Sequence, residues 1–153
     1  MKEKIDTYIG GFLTILMILM TLDVLWGVFT RYVLANQASW SEELARFLLI
    51  WIGILGAAYA SGQQMHLAID LLSPKLNERN QKLVKGIIKW LIIGFAFLVL
   101  VVGGGRLIYI SHTLGQTSPA LQLPMSIVYG VLPLSGLLII YYKLTEKLHI
   151  NLQ

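Results

Sequence analysis

The sequence contains no cysteine and few charged residues. Without cysteine, the chain can form neither a disulfide nor a thiolate ligand or nucleophile. Charged residues make up 13% of the 153 residues, against about 25% in a typical soluble domain. So few charges cannot cover a water-exposed surface, because 56% of the residues are hydrophobic. Lipid is therefore the expected solvent for much of the chain.

The sequence also lacks the motifs of catalysis, nucleotide binding and haem binding. It has no glycine-rich phosphate-binding motif and no nucleophile elbow. His66, His112 and His149 lie at the ends of apolar runs or in the tail, whereas a bis-histidine haem needs axial ligands inside the membrane. His66 and Asp70 alone are too few ligands for a metal. We expect no enzyme, cofactor or metal site, and the spread of the +4 net charge indicates no nucleic-acid partner.

Four continuous apolar runs are present instead. A helix needs about 20 apolar residues to cross a ~30 Å hydrocarbon core, and the runs show no alternation of the kind that barrel strands have. The first run exceeds the apolar part of a signal peptide and is interpreted as a retained span. The pattern predicts a single domain, an all-α integral membrane protein with four transmembrane helices at about residues 9–33, 44–62, 87–110 and 123–142. Pro133 is expected to kink the fourth helix.

The basic residues predict the orientation. Every lysine lies in the N-terminus, in or beside the 63–86 loop, or near the C-terminus, and Arg79 lies in the same loop. Cytoplasmic segments carry an excess of lysine and arginine. Both termini and the 63–86 loop are therefore expected in the cytoplasm of a bacterial cell, with the loops at 34–42 and 111–122 in the periplasm and the spans in the inner membrane.

The 63–86 loop is expected to contain a basic helix that continues into the third span. Ser73 and Pro74 have the pattern of an N-cap followed by proline in the first turn. Anionic phospholipid headgroups are the expected partner of the basic side chains, and docking onto another subunit is the alternative. These side chains are Lys75, Arg79, Lys82, Lys85 and Lys89.

Asp23 places a carboxylate in the middle of the first span. A charge there costs roughly 2.5–3.5 kcal/mol on insertion scales. One interpretation is a polar tether, either ionised against Arg106 or hydrogen-bonded to a partner subunit. The other is a proton or ion site. The tether is favoured, because no second span offers the polar groups of a transport pathway.

The residues that follow the first loop have the pattern of a helix start at the lipid boundary. Ser39 and Glu42 have capping-box spacing, and Glu42 and Glu43 lie where the helix dipole favours anions. Glu42 and Arg46 share a helix face, and Trp40 is expected at the water–lipid boundary. Capping and anchoring explain most of this pattern. Binding of a periplasmic partner by the two carboxylates is the alternative.

Small residues form a stripe on the second span. Gly53, Gly56, Ala57 and Ala60 follow the i, i+3, i+4, i+7 spacing of one helix face. Such a stripe lets another helix approach closely. The triplet at 103–105 in the third span can serve the same purpose, or bend the helix.

Several of these residues recur in a specific order. Along the chain stand Arg31-Tyr32-Val33, Trp40-Ser41-Glu42-Glu43, Arg46, Trp51, Gly56-Ala57-Ala58, His66 and Asp70. This arrangement resembles the small membrane subunit of TRAP (tripartite ATP-independent periplasmic) transporters, the DctQ-type family. The similarity in length and span number covers the whole chain, and the motifs lie within residues 31–70. Glutamine stands at positions 63 and 64, where the family often has a basic residue before the histidine.

The resemblance implies a subunit without a transport path of its own. In that family the small subunit binds a large membrane subunit, which carries the substrate and sodium sites and moves as an elevator. A periplasmic solute-binding protein delivers an organic acid such as a C4-dicarboxylate, a sialic acid or another sugar acid. The sodium gradient drives uptake. The motif residues, together with the small-residue stripe, are then the candidates for the scaffold interface: residues 39–46 at the periplasmic rim, and His66 and Asp70 at the cytoplasmic rim.

Two other functions compete with this interpretation. A small proton-coupled exporter would use Asp23 as its proton site, although such exporters are shorter and lack the basic loop helix. A membrane anchor for a redox enzyme would bind haem, which the histidine positions do not favour.

Overall fold

A computed structural model describes residues 2–36, 38–63 and 78–145. The first span is α1 (Lys2–Tyr32) and the second is α2 (Ser39–Gly62). The third span consists of α3 (Glu78–Phe95), a π-helical segment (Ala96–Gly103) and α4 (Gly104–Thr113). The fourth consists of α5 (Met125–Tyr129) and α6 (Val131–Thr145). Strands are absent from the described residues, which contain only an isolated antiparallel bridge between Thr117 and Pro124.

Four helical stretches are long and apolar enough to cross a membrane: Lys4–Tyr32, Ser39–Gly62, Gly86–Thr113 and Met125–Thr145. The predicted all-α membrane protein with four spans is confirmed. The second helix begins at Ser39, in the segment predicted as a helix start and ahead of the apolar span, so its polar first turn is helical. The third span continues back to Glu78, as expected for a long loop helix. The start of that helix at Ser73 and Pro74 lies outside the described residues.

The spans pack in a row in the order first, second, fourth, third. α1 packs against α2, α2 against α6, and α6 against the π-helical segment. Among the described residues, no extensive contact joins the third span to α1 or α2. The two inner spans of the row are the more buried ones. In the second and fourth spans, 17% and 28% of the apolar stretch are buried, respectively. In the first and third, the values are 11% and 6%. The outer spans leave most of their surface to lipid or to another protein.

The centre of the row is a small apolar cluster. Leu16 of α1, Leu55 of α2 and Val131 of α6 are buried together. Lipid tails are as apolar as leucine, so close packing rather than the hydrophobic effect holds this cluster together. Partly buried residues surround it: Leu13, Leu48, Ile50, Trp51, Ile52, Ile54 and Leu138.

Glycines bring the third and fourth spans together. A Cβ atom on Gly136 would lie 2.8 Å from Leu100 Cβ, and one on Gly104 would lie 2.7 Å from Leu132 Cβ. Only a hydrogen fits at either position. The middle residue of the 103–105 triplet therefore allows close helix approach, as one of its two predicted roles requires.

The fourth span is interrupted one turn before Pro133. Proline has no N–H to donate to the carbonyl four residues back. The helix changes at Gly130, between α5 and α6, and the Leu134 N–Gly130 O distance is 3.5 Å. Instead of the expected kink in a continuous helix, the fourth span is divided into α5 and α6 at Gly130. The π-helical segment opposite it was not predicted, because its sequence is uniformly apolar and carries no periodic signal.

Candidate functional site

Glu43 fastens the loop between the third and fourth spans to α2. Its Oε2 atom accepts hydrogen bonds from the backbone N–H groups of Ala120 and Leu121, at 3.0 and 2.8 Å. Hydrogen bonds to a charged acceptor are stronger than neutral ones. This side of the molecule, which carries the 33–38 link and the 114–124 loop, is called the loop side below.

The 114–124 loop is ordered by its own hydrogen bonds as well. Gly115 has a φ of +59°, and the N–H groups of Gly115 and Gln116 donate to the carbonyls of His112 and Ser111. This pattern is a Schellman motif that ends α4. The buried Ser118 accepts a hydrogen bond from Leu123 N–H through its Oγ. The loop thereby presents a defined surface on the loop side.

The start of α2 differs from the predicted capping box. The helix begins at Ser39, and Ala38 is the N-cap, with no side-chain hydrogen bond to the first turn. Ser39 lies one position too far along to cap, so the expectation for Ser39 and Glu42 was wrong. The side chains of Trp40, Glu42 and Arg46 are exposed on the loop side.

The first helix ends beside these residues. Arg31 lies over the ring of Tyr32, with 5.9 Å between the guanidinium carbon and the ring centroid. Both side chains are exposed. Arg31 therefore adds a cation to the rim, where it can meet a partner or a lipid headgroup.

Ser41 joins the beginning of α2 to α1. Its hydroxyl is buried and donates a 3.0 Å hydrogen bond to the backbone carbonyl of Asp23. A Cβ atom on Gly27 would lie 3.0 Å from Ser41 Oγ, so glycine allows this approach. Neither residue was singled out for this contact in the sequence, because the contact joins two different helices and has no local signal.

Asp23 is buried, with 7% of its surface exposed. Neither carboxylate oxygen has a hydrogen-bond partner among the described residues. The structure does not bring Asp23 and Arg106 together: Arg106 is exposed on α4, and the third span makes no extensive contact with α1. The proposed ion pair within the chain is therefore corrected, because the row places the two helices apart.

The small-residue stripe of α2 faces away from the other helices that the structure describes. Gly53, Ala57 and Ala60 are exposed and Gly56 is half-buried. A Cβ atom added to Gly53 or Gly56 would meet nothing within 4 Å. The stripe is thus not used for packing among the described residues.

Trp51 lies on another face of α2. It is half-buried against the apolar cluster, and its ring meets that of Phe12 edge-to-face with centroids 6.4 Å apart. Trp51 therefore packs α2 against α1, which is a contact within the chain.

The opposite side, which carries the start of α1 and the end of α6 and is called the terminal side below, has its own junction. Tyr142 donates a 2.6 Å hydrogen bond to Asp6 Oδ1. A Cβ atom on Gly62 would lie 2.8 Å from the Tyr142 ring. The sequence interpretation missed this junction, and the adjacent tyrosines at the end of the fourth span were its only signal.

Some predicted residues fall outside the description. His66, Asp70 and Lys75 lie in the segment 64–77, and the side chains of Arg79, Lys82 and Lys85 are not described. Lys89 is half-buried on α3. The predictions for the cytoplasmic rim and for lipid contact stay predictions.

Comparison with known proteins decides the family. Residues 11–149 match the family model for tripartite ATP-independent periplasmic transporters, DctQ component. The chain belongs to the DctQ family. The resemblance seen in the motif residues is confirmed, and the family is one of transporter permease subunits rather than enzymes. Membership favours the subunit interpretation over the exporter and the redox anchor.

Individual relatives of this DctQ-family chain differ in length. It is 28% identical over 143 residues to a putative TRAP transporter small permease protein of Haemophilus influenzae, covering 91% of this chain and 87% of that protein. It is 39% identical over 105 residues to the isethionate TRAP transporter permease protein DctMQ of Oleidesulfovibrio alaskensis, covering 66% of this chain but 16% of that protein. It is 30% identical over 108 residues to the C4-dicarboxylate small permease DctQ of Rhodobacter capsulatus, covering 67% and 44%.

Proposed function

We propose that this DctQ-family chain braces the large permease subunit of a TRAP transporter through the small-residue face of α2. This proposal rests on the contrast between glycines that pack against another span and glycines that face open space. A Cβ atom added to Gly62, Gly104 or Gly136 would lie within 3 Å of an atom of another span. A Cβ atom added to Gly53 or Gly56 would meet nothing within 4 Å. Small residues on a membrane helix serve close helix approach, so an exposed stripe favours a partner helix.

The comparison with DctMQ supports a large partner. The chain aligns with 16% of that single permease protein, which leaves the greater part of the polypeptide for another membrane component. The open row of helices suits a bracing role, since its outer surfaces are broad and apolar. Large hydrophobic side chains such as Leu25, Phe97 and Leu98 are exposed on the two outer spans.

The substrate we propose is a small organic acid. The relatives are named for isethionate and for C4-dicarboxylates. The sodium coupling, the substrate site and the moving element are assigned to the large subunit. A periplasmic solute-binding protein delivers the substrate on the loop side, where Glu43 holds the 114–124 loop in place.

The proposed orientation places the loop side in the periplasm of the bacterial inner membrane and the terminal side in the cytoplasm. The distribution of lysines supports it. The basic residues before the third span then face anionic phospholipid headgroups, and His66 and Asp70 lie at the cytoplasmic rim. Reporter fusions at residues 75–85 test this orientation, and a periplasmic reporter signal there would contradict it.

Co-purification tests the bracing role. Gly53→Leu and Gly56→Leu are expected to lower recovery of the complex with the large permease subunit. Gly105→Leu is the matched control, because Gly105 lies in the third span and an added Cβ there also meets nothing within 4 Å. Undiminished recovery of the stripe variants would contradict the assigned contact.

Reconstitution tests the function itself. In vesicles with a sodium gradient and the solute-binding protein, uptake of the organic acid is expected only when this chain accompanies the large subunit. Full uptake by the large subunit alone, or uptake by this chain alone, would contradict the proposal.

A further inference from the structure

The contact between α1 and α2 follows a seven-residue spacing. Among the side chains of α1 that the structure describes, only Leu16, Asp23 and Thr30 are buried. Residues seven apart lie on one face of a helix, as in the seam of a coiled coil. The contact between this face of α1 and α2 is called the α1–α2 seam. Asp23 is the middle of the three buried residues that α1 contributes to it, and the other two carry no charge.

The seam closes tightly next to Asp23. The Ser41 hydroxyl donates to the Asp23 carbonyl, and Gly27, one turn further along α1, leaves room for Ser41. With 7% of its surface exposed, the Asp23 side chain is covered by this chain itself. A partner subunit that approached from outside would not reach the carboxyl, so a tether to such a subunit does not explain it.

The seam supplies no cation for Asp23. α1 packs against α2, whose charged side chains at this level are Glu42, Glu43 and Arg46. Glu42 and Arg46 are exposed, and Glu43 is bonded to the 114–124 loop. On α1 the nearest charge is Arg31, which is exposed two turns away. Within the described residues both carboxyl oxygens stay without a partner.

We propose that the Asp23 carboxyl is a proton-binding site and that the α1–α2 seam closes on its neutral, acid form. An isolated ionised carboxylate in an apolar environment is far more costly than a neutral carboxyl. A metal ion requires several oxygen ligands, and a single carboxyl in a close-packed seam does not provide them. A proton needs one oxygen and no additional space.

The site links protonation to the position of α1. Loss of the proton creates a charge that is better solvated when the seam opens. α1 can move away from the seam because it is an outer helix of the row, with α2 as its main neighbour. The site is independent of the bracing function, because it lies inside the chain and not on the α2 stripe.

Selective carboxyl labelling tests the proposal on the full chain in lipid vesicles. The sequence has three aspartates, Asp6, Asp23 and Asp70, so aspartate labelled with ¹³C at its side-chain carboxyl gives three infrared signals. At neutral pH, one signal is expected in the acid form. That signal should vanish in Asp23→Asn and persist in Asp6→Asn and Asp70→Asn.

The assignment does not depend on the folding of Asp23→Asn. If that variant fails to fold, an acid signal that survives in both Asp6→Asn and Asp70→Asn still belongs to Asp23. Three ionised carboxylates at neutral pH would overturn the proposal, and so would loss of the acid signal in Asp6→Asn or Asp70→Asn.

Discussion

The Tyr142 hydroxyl donates a hydrogen bond to the Asp6 carboxylate across 136 positions of the sequence. Tyr142 is 2% exposed, and its ring leaves room only for glycine at position 62. One side chain of α6 thus contacts both α1 and α2, and fixes three of the four spans at the terminal side.

Tyr142→Phe removes the donor and keeps the ring. The Asp6 carboxylate then loses its bond, and we expect a loss of about 1.5–3 kcal/mol in the free energy of unfolding, the range for hydrogen bonds to charged groups. Thermal unfolding of the purified chain in detergent measures this loss. Tyr141→Phe, at the neighbouring half-buried tyrosine, is the control and should unfold close to the wild type. Equal unfolding temperatures for Tyr142→Phe and the wild type would contradict the assigned bond.

Two glycine substitutions should act in opposite directions on the isolated chain. The Cβ atom in Gly136→Ala would meet Leu100 and Val101 below 3 Å and the Ala96 carbonyl at 3.1 Å. Overpacking of this kind costs roughly 1–3 kcal/mol. Gly56→Ala meets no atom and gains up to about 1 kcal/mol of helix propensity. Denaturation of the two variants side by side measures the difference, and a destabilised Gly56→Ala would show that the stripe packs within the chain.

Loss of the Glu43 carboxylate should release the 114–124 loop. In Glu43→Ala, the amides of Ala120 and Leu121 lose their acceptor. A loss of about 1.5–3 kcal/mol corresponds to hydrogen exchange roughly tenfold to a hundredfold faster. Exchange mass spectrometry of the loop measures it. Glu42→Ala removes the neighbouring exposed carboxylate and should leave these amides unchanged. Equal protection in both variants would disprove the role of Glu43.

Gly27 and Ser41 should be energetically coupled. Gly27→Ala places a Cβ atom 3.0 Å from Ser41 Oγ, and Ser41→Ala removes both this atom and the hydrogen bond to Asp23. We expect Gly27→Ala to destabilise the wild type more than it destabilises Ser41→Ala, with an interaction energy of about 0.5–3 kcal/mol. A double-mutant cycle measures this energy, and additive effects would place the two residues out of contact.

Patterns in neighbouring residues predicted the features that depend on neighbouring residues. Apolar length predicted the four spans. The glycine triplet was compatible with a close approach or a bend, and Gly104 makes a close approach. The Asp23–Arg106 pair failed because the packing order of helices depends on contacts between spans, and hydropathy carries no such information. The bonds from Glu43 to the loop and from Tyr142 to Asp6 join residues 77 to 136 positions apart, which no spacing rule reaches.

The predicted cap of α2 failed for a different reason. Ser39 and Glu42 have suitable spacing, but the helix starts at Ser39, with Ala38 as its N-cap. Helix boundaries shift by a residue or two under tertiary contacts, and the buried Ser41 hydroxyl is already committed to α1. The motif residues predicted the family correctly, because their order along the chain does not depend on these details.

The packing order has a consequence for biosynthesis. The fourth span lies between the second and the third, although it is synthesised after both of them. Until it leaves the ribosome, the third span lacks its main neighbour among the described residues and stays beside an α1–α2 hairpin. A nascent chain stalled before residue 125 is therefore an incomplete assembly, in which the third span has not yet met the helix that joins it to the other two.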